Sequence, residues 1–438
     1  MQLRFYSLWV FVAFCASCDN SLDVMQTTTG QTSTGTTVSQ TTSTSVTGGT
    51  SSTSSPTTST VPLPPCVAGA DIELAVASAT SGDTIYICPG VHAVNLILDD
   101  NLTLSAQDIT KLTVLDGSGL GPVVTANSNG RLELLDLVLT NGDGGAAGGG
   151  GVMASDALQL TLKGCTVEGN VGFIGGVYGP MNDRTVVTSS VIRDNQGEWA
   201  GGIGLGDGDL DQVEISGNTS EQNNGGVWVY PFQGPTVGDV TVSGNTAVGN
   251  GGGVGIDFGS TWLGGVVEGN TAANGGGVAF LNTSGAALVE TDVIGNTATV
   301  SGGGVYNAET IGGDFFVIDT LLEGNYAPVG GGFSVQRSLD GAAALTLTRV
   351  DMTGNSAEEG AGLYIDGIAV AFEQGSLVSN AATVSGGGAR LIGGSSLEIV
   401  GVDLGGVGTE NTPDDVDLDG VSYDYDGTIT VSCSSACQ

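Results

Sequence analysis

The stretch that decides the fold runs from residue 244 to residue 256 and reads GNTAVGNGGGVGI. Close copies follow at residues 269–280, GNTAANGGGVAF, and at residues 295–307, GNTATVSGGGVYN. Glycine clusters of this kind recur about every 26 residues between residues 149 and 388, and a fixed period of this length is typical of proteins whose units stack on one another. The sequence therefore predicts a solenoid.

Apolar residues occupy fixed positions relative to the glycine clusters. The residue that follows each cluster is apolar throughout: Val152, Val177, Ile203, Val227, Val254, Val278, Val305, Phe333, Leu363 and Ala389. Two positions further on, nearly every repeat again carries a small or apolar residue. Alternation with a period of two indicates strands that bury one face. A further apolar column, three residues before an asparagine, predicts at least one more strand in each repeat.

That asparagine forms a column in phase with the glycines. Its members are Asn141, Asn170, Asn195, Asn218, Asn245, Asn270, Asn296, Asn325, Asn355 and Asn380. Equivalent positions stack about every 4.8 Å when strands of successive coils pair, so the column predicts a ladder of side-chain hydrogen bonds. Helical repeats are excluded because each glycine would cost about 1 kcal/mol inside a helix. The sequence predicts an all-β fold, a right-handed parallel β-helix of about 11–12 coils with a short N-terminal capping helix.

The first 65 residues have the features of an export signal followed by a linker. Arg4 precedes an apolar run at residues 5–14, which is too short to span a bilayer. The small residues before Cys18 are similar to the lipobox of bacterial lipoproteins, so we expect residues 1–17 to be removed and Cys18 to be lipidated. Plain cleavage near the same point is the alternative. Residues 18–65 are rich in Ser and Thr and predict a disordered linker.

Residues 66–438 remain for the β-helix domain, and we expect its N-terminal cap at residues 66–90. Asp71 is placed to be the N-cap of a short amphipathic helix. Such a helix covers the open end of a stacked sheet, where bare backbone edges invite aggregation. Cys66 and Cys88 bracket this segment and form a candidate disulfide, because exported proteins retain such bonds.

The other end of the domain, about residues 410–438, is expected to form a C-terminal cap. Cys433 and Cys437 are the second candidate disulfide there. Cys165 lies inside a repeat instead, and we expect it to be a buried thiol that packs like a small apolar residue.

The charge balance limits the partners. The chain has 46 Asp and Glu against 9 Lys and Arg, a net charge of −37. Such a surface repels phosphate backbones, so nucleic acid is not an expected partner. Anionic lipids and polyuronates are disfavoured for the same reason, unless divalent cations bridge the charges. His92 is the only histidine, and we expect it to be a satisfied turn residue; the sequence offers no Ser-His-Asp or Cys-His arrangement.

Acidic runs raise the question of a structural calcium ion. The run at residues 207–211 fits a solvated loop or a cation site. A second run has the spacing of an EF-hand loop, although aspartate replaces the final bidentate glutamate; its candidate ligands are Asp415, Asp417, Asp419 and Asp426. The competing interpretation is a pair of strands with acidic residues outward. Residues 252–257 fit one calcium-binding nonapeptide, but such sites need tandem copies every nine residues.

Aromatic residues recur at the position that should face outward, immediately after the first buried residue of each repeat. The candidates for stacking on a ligand are Tyr178, Trp228, Tyr306 and Tyr364, with Tyr230 beside Trp228. Outward aromatic rings on a flat sheet can stack on the apolar faces of sugars. The competing interpretation is that they shield the sheet or pack under loops.

The repeats resemble those of the polymorphic outer-membrane protein family. This resemblance rests on GNTA followed by GGGV, at residues 244–254 and 295–305. The segment GDTIYICPG at residues 82–90 looks like the opening of secreted pectin-lyase-like β-helix proteins. The resemblance implies a β-helical surface protein, such as an adhesin. It also implies that an enzyme of this fold would carry clustered aspartates with a basic residue on one outer face.

We expect an exported, surface-anchored module that acts structurally, in adhesion or in ligand binding, with no identifiable catalytic site. It is expected to be a monomer located at the cell surface or outer membrane as a lipoprotein, or secreted. Its partner is expected to be extracellular polysaccharide or another surface component, and its membrane contact only a lipid anchor. No cofactor is expected apart from the calcium considered above.

The alternative function is a carbohydrate-active enzyme, a polysaccharide lyase or hydrolase, or a carbohydrate-binding module of pectin-lyase-like fold. An acidic residue and an arginine gathered in a groove near Trp228 would favour this alternative. The candidates are Asp207, Asp209, Asp257, Arg184 and Arg193.

Overall fold

A computed structural model describes residues 62–432 apart from 128–129, 232–233, 283, 308–312, 338–342, 407, 419–420 and 424–428. These residues form a β-solenoid of about twelve turns with one short α-helix, which confirms the predicted parallel β-helix. No helix in this part of the chain has the length and apolar character needed to cross a membrane. The strands fall into three sheets that run along the stack.

Sheet I contains the strands that follow the glycine clusters. Its 14 strands are Leu96–Leu98, Val124–Ala126, Val152–Met153, Val177–Tyr178, Ile203–Leu205, Val227–Val229, Val254–Ile256, Val278–Phe280, Val305–Asn307, Phe333–Gln336, Leu363–Asp366, Ala389–Ile392, Val416–Leu418 and Val421–Tyr423. Val254 pairs with Val278 and Val278 with Val305, all three fully buried. The predicted stacking of equivalent residues is therefore confirmed.

Sheet II is the largest and wraps around two faces of the solenoid. Its 22 strands are Thr84–Ile87, Gly90–Ala93, Leu102–Ala106, Thr113–Asp116, Arg131–Leu135, Val138–Thr140, Gln159–Lys163, Thr166–Glu168, Arg184–Arg193, Gly208–Ser216, Pro235–Val237, Val240–Ser243, Thr261–Leu263, Val266–Glu268, Ala287–Val289, Asp292–Ile294, Phe315–Ile318, Leu321–Glu323, Ala344–Thr353, Ala369–Val378, Ser396–Val400 and Ile429–Ser432. The longest strands pass from one face to the other through a left-handed residue such as Ser189, with φ 48°.

Sheet III lies between the asparagine column and the glycine clusters. Its six strands are Val171–Ile174, Gln196–Ala200, Thr219–Ser220, Thr246–Ala247, Thr271–Asn274 and Thr297–Ser301, and Ser356–Glu359 pairs with Ala381–Ser385 further along. A 3-10 helix at Gly145–Ala147 precedes the first of them. Two residues, Glu198 and Trp199, stand opposite the single residue Phe173, because the pairing register shifts there. This is a β-bulge, which aims neighbouring side chains differently from a regular strand.

The asparagine column forms a buried ladder. Its ten members are Asn170, Asn195, Asn218, Asn245, Asn270, Asn296, Asn325, Asn355, Asn380 and Asn411. Asn270 shows the pattern: its Nδ2 donates to Asn296 Oδ1 at 3.0 Å and to the Val242 carbonyl at 2.9 Å. The predicted place of Asn141 is wrong, because the backbone N–H of Gly142 meets the ladder there and Asn141 takes the left-handed turn position, with φ 55°.

The N-terminal cap is held by a helix, a disulfide and the single histidine. The helix, Asp71–Ser78, buries Ile72 and Val76 against the core. Its N-cap is Ala70, without a capping side chain, so the predicted capping role of Asp71 is wrong; Asp71 is the first helical residue, where its charge favours the N-terminal dipole. The Cys66–Cys88 disulfide is confirmed.

His92 is satisfied, as predicted, since its Nε2 lies 2.8 Å from the Cys88 carbonyl and its Nδ1 accepts from the Gly69 N–H; it lies in the strand Gly90–Ala93, however, and the predicted turn position is wrong. Cys165 is a buried free thiol, also as predicted, and burial raises its pKa to about 12. Two strands run antiparallel to the rest: Val421–Tyr423 on sheet I and Ile429–Ser432 on sheet II. Both lie in the segment that was predicted to form the C-terminal cap. Cys18, Cys433 and Cys437 lie outside the described residues, so lipidation and the second disulfide stay predictions.

Candidate functional site

Five aromatic residues form a cluster on the outside of the solenoid, separate from the apolar core. We call Phe173, Tyr178, Trp199, Trp228 and Tyr230 the exterior aromatic cluster. Trp228 lies at its centre, with its ring centroid 4.8 Å from that of Tyr230 and 5.7 Å from that of Trp199, both in edge-on arrangements. Such geometry is favourable beyond the area buried, by about 0.5–1.5 kcal/mol for each pair.

A missing side chain on sheet I makes room for the cluster. Tyr178, Gly204 and Trp228 occupy the same outward position in three successive coils. A Cβ atom at Gly204 would lie 2.7 Å from the Tyr230 hydroxyl oxygen and 3.0 Å from Cε1, so the Tyr230 ring fills the space above this glycine. The Tyr230 hydroxyl donates to the Gly179 carbonyl at 3.3 Å. The ring is thereby fixed across two coils.

Sheet III supplies the other two rings through its bulge. Glu198 and Trp199 lie side by side at the bulge, and both are partly exposed, where strict alternation would turn one of them inward. Phe173, also partly exposed, stands opposite them in the preceding coil. One sequence signal, not used above, marks both rings: each stands two residues before a glycine pair.

The cluster has a buried floor and a partly open top. Tyr178 and Tyr230 are only 6% and 3% exposed, and burial raises the pKa of both phenols above their usual value. Phe173, Trp199 and Trp228 keep part of their surface in solvent. The Nε1 atoms of both tryptophans are shielded and have no hydrogen-bond acceptor within reach in the described structure. The open part of the cluster is therefore aromatic surface.

Carboxylates and carboxamides lie on the part of sheet III that carries Trp199. The Gln222 amide donates to Glu198 at 3.0 Å, and the Gln196 amide donates to Glu221 at 3.2 Å. A shallow groove on the outer surface of sheet III is lined by Gln196, Glu198, Glu221 and, from the first coil of the groove, Asp143. These side chains offer acceptors and donors beside an apolar platform.

The remaining predicted stacking residues lie elsewhere. Tyr306 and Tyr364 are 8% and 9% exposed and stand in later coils of sheet I. Burial, together with Asp366 and Glu359, raises the pKa of Tyr364 to about 12 against the opposing effect of Arg390. Stacking on a ligand stays a prediction for all five residues. Since the four tyrosines are buried, only Trp228 among them presents partly exposed ring surface.

The acidic run near the C-terminus enters sheet I. Asp417 is 2% exposed and forms an ion pair with Arg390, its partner in the neighbouring strand, and Arg390 Nε also lies 3.7 Å from Glu359. Asp415 accepts from the Asn411 amide at 3.1 Å. Asp419 and Asp426 lie outside the described residues, and the described residues contain no group of three or more side chains suited to a metal. A calcium site here stays a prediction.

An acidic residue and an arginine gathered near Trp228 would favour an enzyme, and the structure pairs such residues but on a different sheet from Trp228. Arg184 forms an ion pair with Asp209, and the nearby charge of Asp207 adds to the rise in the Arg184 pKa. This group belongs to the outer side of sheet II, whereas Trp228 belongs to sheet I. Arg193 pairs with Glu168 at 2.6 Å, at the other end of its strand.

Asp257, the remaining acidic candidate, is bonded to the Asn282 side chain and to the backbone N–H of Phe258. It therefore accepts hydrogen bonds that hold a loop, and the described structure gives it no arginine partner. No candidate arginine thus accompanies this aspartate beside the aromatic cluster.

The chain is similar to one known family. The family described as right-handed beta helix region matches residues 84–237. Neither a curated protein nor a solved structure matches the chain. All five rings of the exterior aromatic cluster lie within the matched residues, so the surface they form is carried by coils that are similar to right-handed β-helix repeats.

Proposed function

We propose that this chain is an exported surface module that binds carbohydrate through the exterior aromatic cluster. The observation that carries the proposal is the partly exposed trio of Phe173, Trp199 and Trp228, with the amide-bonded carboxylate of Glu198 next to Trp199 at the bulge. Sugar rings have apolar C–H faces and a rim of hydroxyl groups. An aromatic platform next to paired acceptors and donors complements both.

The rigidity of the platform supports this role. Its rings stand on paired strands of successive coils and interlock edge to edge. A platform already in its binding geometry loses little conformational entropy when a ligand arrives, which favours affinity.

Export and display complete the proposal. The signal-like residues 1–17, lipidation at Cys18 and the Ser/Thr-rich linker at 18–65 would hold the β-helix away from a membrane. The resemblance of the repeats to those of polymorphic outer-membrane proteins supports an adhesive role, and the resemblance of the opening segment to pectin-lyase-like proteins supports a carbohydrate ligand. A monomer that meets the membrane only through its anchor fits this arrangement.

Binding is best tested by retention on insoluble or immobilised polysaccharides. We expect the double variant Trp199→Ala/Trp228→Ala to lose at least tenfold in affinity for the polysaccharide, because stacking on a sugar depends on the area of the aromatic rings. The matched control is Tyr326→Ala, which removes a 46% exposed ring from a later coil. Circular dichroism should show that all variants remain folded.

Equal loss in the Tyr326 control, or unchanged retention of the double variant, would contradict the proposed site. The second candidate function, a polysaccharide lyase or hydrolase, is favoured by the group of Arg184, Asp207 and Asp209. Release of shortened or unsaturated sugars from the retained polysaccharide, abolished by Asp209→Asn, would establish that activity. Retention without product supports the binding module.

A further inference from the structure

We propose that the glycan bound by the exterior aromatic cluster is cationic, a polymer of amino sugars with free ammonium groups. This inference rests on the proposed function and names the class of ligand. Its basis is the juxtaposition at the sheet III bulge, where the carboxylate of Glu198 and the indole of Trp199 emerge side by side on the outer surface.

Four carboxylates lie in the coils of the cluster or in the coil before them. Glu198, Glu221 and Asp143 line the groove on sheet III. On the sheet I side, the charge of Asp156 is close enough to Tyr178 to contribute to the rise in that phenol's pKa, after burial. A ligand that covers Trp199 therefore lies next to the negative charge of Glu198, the adjacent residue at the bulge.

No ion pair among the described residues neutralises this charge. The ion pairs among the described residues engage Asp108, Glu168, Asp194, Asp209, Asp319, Glu359 and Asp417. The four carboxylates around the cluster are absent from these pairs, and Glu198 and Glu221 are held by neutral amides instead. An amide fixes the orientation of a carboxylate while leaving its charge available.

An ammonium group on a sugar matches this surface in two ways. It can donate charge-assisted hydrogen bonds to the carboxylates, which are about twice as strong as neutral ones. It can also lie against an indole face, the best of the aromatic partners for a cation. A polyuronate meets repulsion at the same place, and a neutral glycan gains only the stacking. The net charge of −37 adds long-range attraction for a polycation.

The test compares soluble oligosaccharides that carry positive, no or negative charge. We would titrate the full chain with glucosamine tetrasaccharide, with its N-acetylated counterpart and with a galacturonate tetrasaccharide, at a pH where the amines are protonated. We expect the free amine to bind at least tenfold more tightly than the acetylated form, and the uronate to bind least. Glu198→Gln/Glu221→Gln should remove most of this preference, so that the affinities for the free amine and the acetylated form become similar.

A polyanionic protein attracts any polycation, so the control must remove the same charge elsewhere. Glu268→Gln/Glu323→Gln removes two exposed carboxylates from sheet II, and we expect it to leave the preference within twofold. Equal loss in both pairs would reduce the effect to general charge and overturn the inference. Tight, Trp199-dependent binding of the acetylated form without preference for the amine would also overturn it, while leaving the proposed function standing. If neither the free amine nor the acetylated oligosaccharide bound, both this inference and the proposed function would be overturned.

Discussion

The interior asparagine ladder and the exterior aromatic cluster are built on the same coils by opposite means. The ladder repeats one residue in ten successive coils, each member buried and bonded to the next. The cluster uses five rings, a glycine gap and a bulge, and none of these recurs in every coil. The difference teaches that periodicity encodes the scaffold of this protein, whereas local departures from it encode the surface.

The ladder should dominate stability, and Asn270→Ala is the sharpest way to show it. The change removes the acceptor of the Asn245 N–H and Nδ2, and the donor to Val242 and Asn296. Each buried polar group left unpaired costs about 1–3 kcal/mol, so we expect the free energy of unfolding to fall by about 3–5 kcal/mol. Urea unfolding followed by circular dichroism measures this.

A nearby asparagine provides the control. Asn274 is only partly buried, and its Nδ2 donates to Asn250 Oδ1 at 3.0 Å. We expect Asn274→Ala to cost less than about 1.5 kcal/mol, the net value of one ordinary hydrogen bond. Similar losses in both variants would show that burial in the ladder gives its asparagines no special weight.

The exterior cluster should tolerate change better, and Gly204→Ala measures by how much. The added methyl group collides with Tyr230, and overpacking of this kind costs about 1–3 kcal/mol. We expect a loss within that range together with altered near-UV circular dichroism, because Tyr230 packs on Trp228.

The matched glycine is Gly406, where an added Cβ meets nothing within 4 Å. Gly406→Ala should leave both stability and the aromatic spectrum as they are. A Gly204 variant with an unchanged spectrum would mean that Tyr230 does not depend on the gap.

The next smaller effect is expected at alkaline pH, which should reduce the stability that the buried tyrosines of sheet I contribute to the fold. A phenol whose pKa is higher in the folded chain stabilises the fold fully below the unfolded pKa, and this stability disappears as pH rises through the folded pKa. For Tyr364 the window runs from about 10, the ordinary phenol value, to about 12. We expect melting temperature to fall between pH 10 and 12, and to fall less in Tyr364→Phe. Identical profiles would contradict the raised pKa.

The part of the molecule predictable from sequence follows the same division. Val254, Val278 and Val305 could be placed because each coil repeats their environment. Trp199 could not, because a bulge changes which residues face outward, and no propensity marks its position. Asn141 was misplaced since asparagine tolerates the left-handed turn next to the ladder position.

The burial of the tyrosines was also beyond the sequence. Alternation assigned Tyr178 to the outside of the sheet, but it does not show that Tyr230 of a later coil packs against it, at 6.3 Å between ring centroids. Contacts between side chains of different coils depend on which positions lack a Cβ, as at Gly204. Prediction therefore reached three of the five rings, Tyr178, Trp228 and Tyr230, and missed the two that stand at the bulge, Phe173 and Trp199.

The smallest expected effect is the alkylation of Cys165, which tests whether the apolar core stays closed independently of the exterior aromatic cluster. Cys165 lies in the core beneath the coils of the cluster, its Sγ donating to the Leu134 carbonyl at 3.2 Å. Because burial raises its pKa to about 12, the reactive thiolate is scarce at pH 8 and we expect no alkylation in the folded chain. Peptide mapping by mass spectrometry after iodoacetamide treatment distinguishes Cys165 from the other cysteines.

The informative comparison is the rate of Cys165 alkylation in the Gly204→Ala variant against that in the unchanged chain. If the exterior cluster is an addition to a self-sufficient scaffold, disturbing Tyr230 leaves Cys165 as protected as in the unchanged chain. If the cluster helps to hold the coils together, local opening exposes the thiol and alkylation accelerates, since reaction proceeds through the opened state. Protection in the Gly204 variant combined with exposure in the Asn270 variant would show that the ladder, and not the aromatic surface, closes the core.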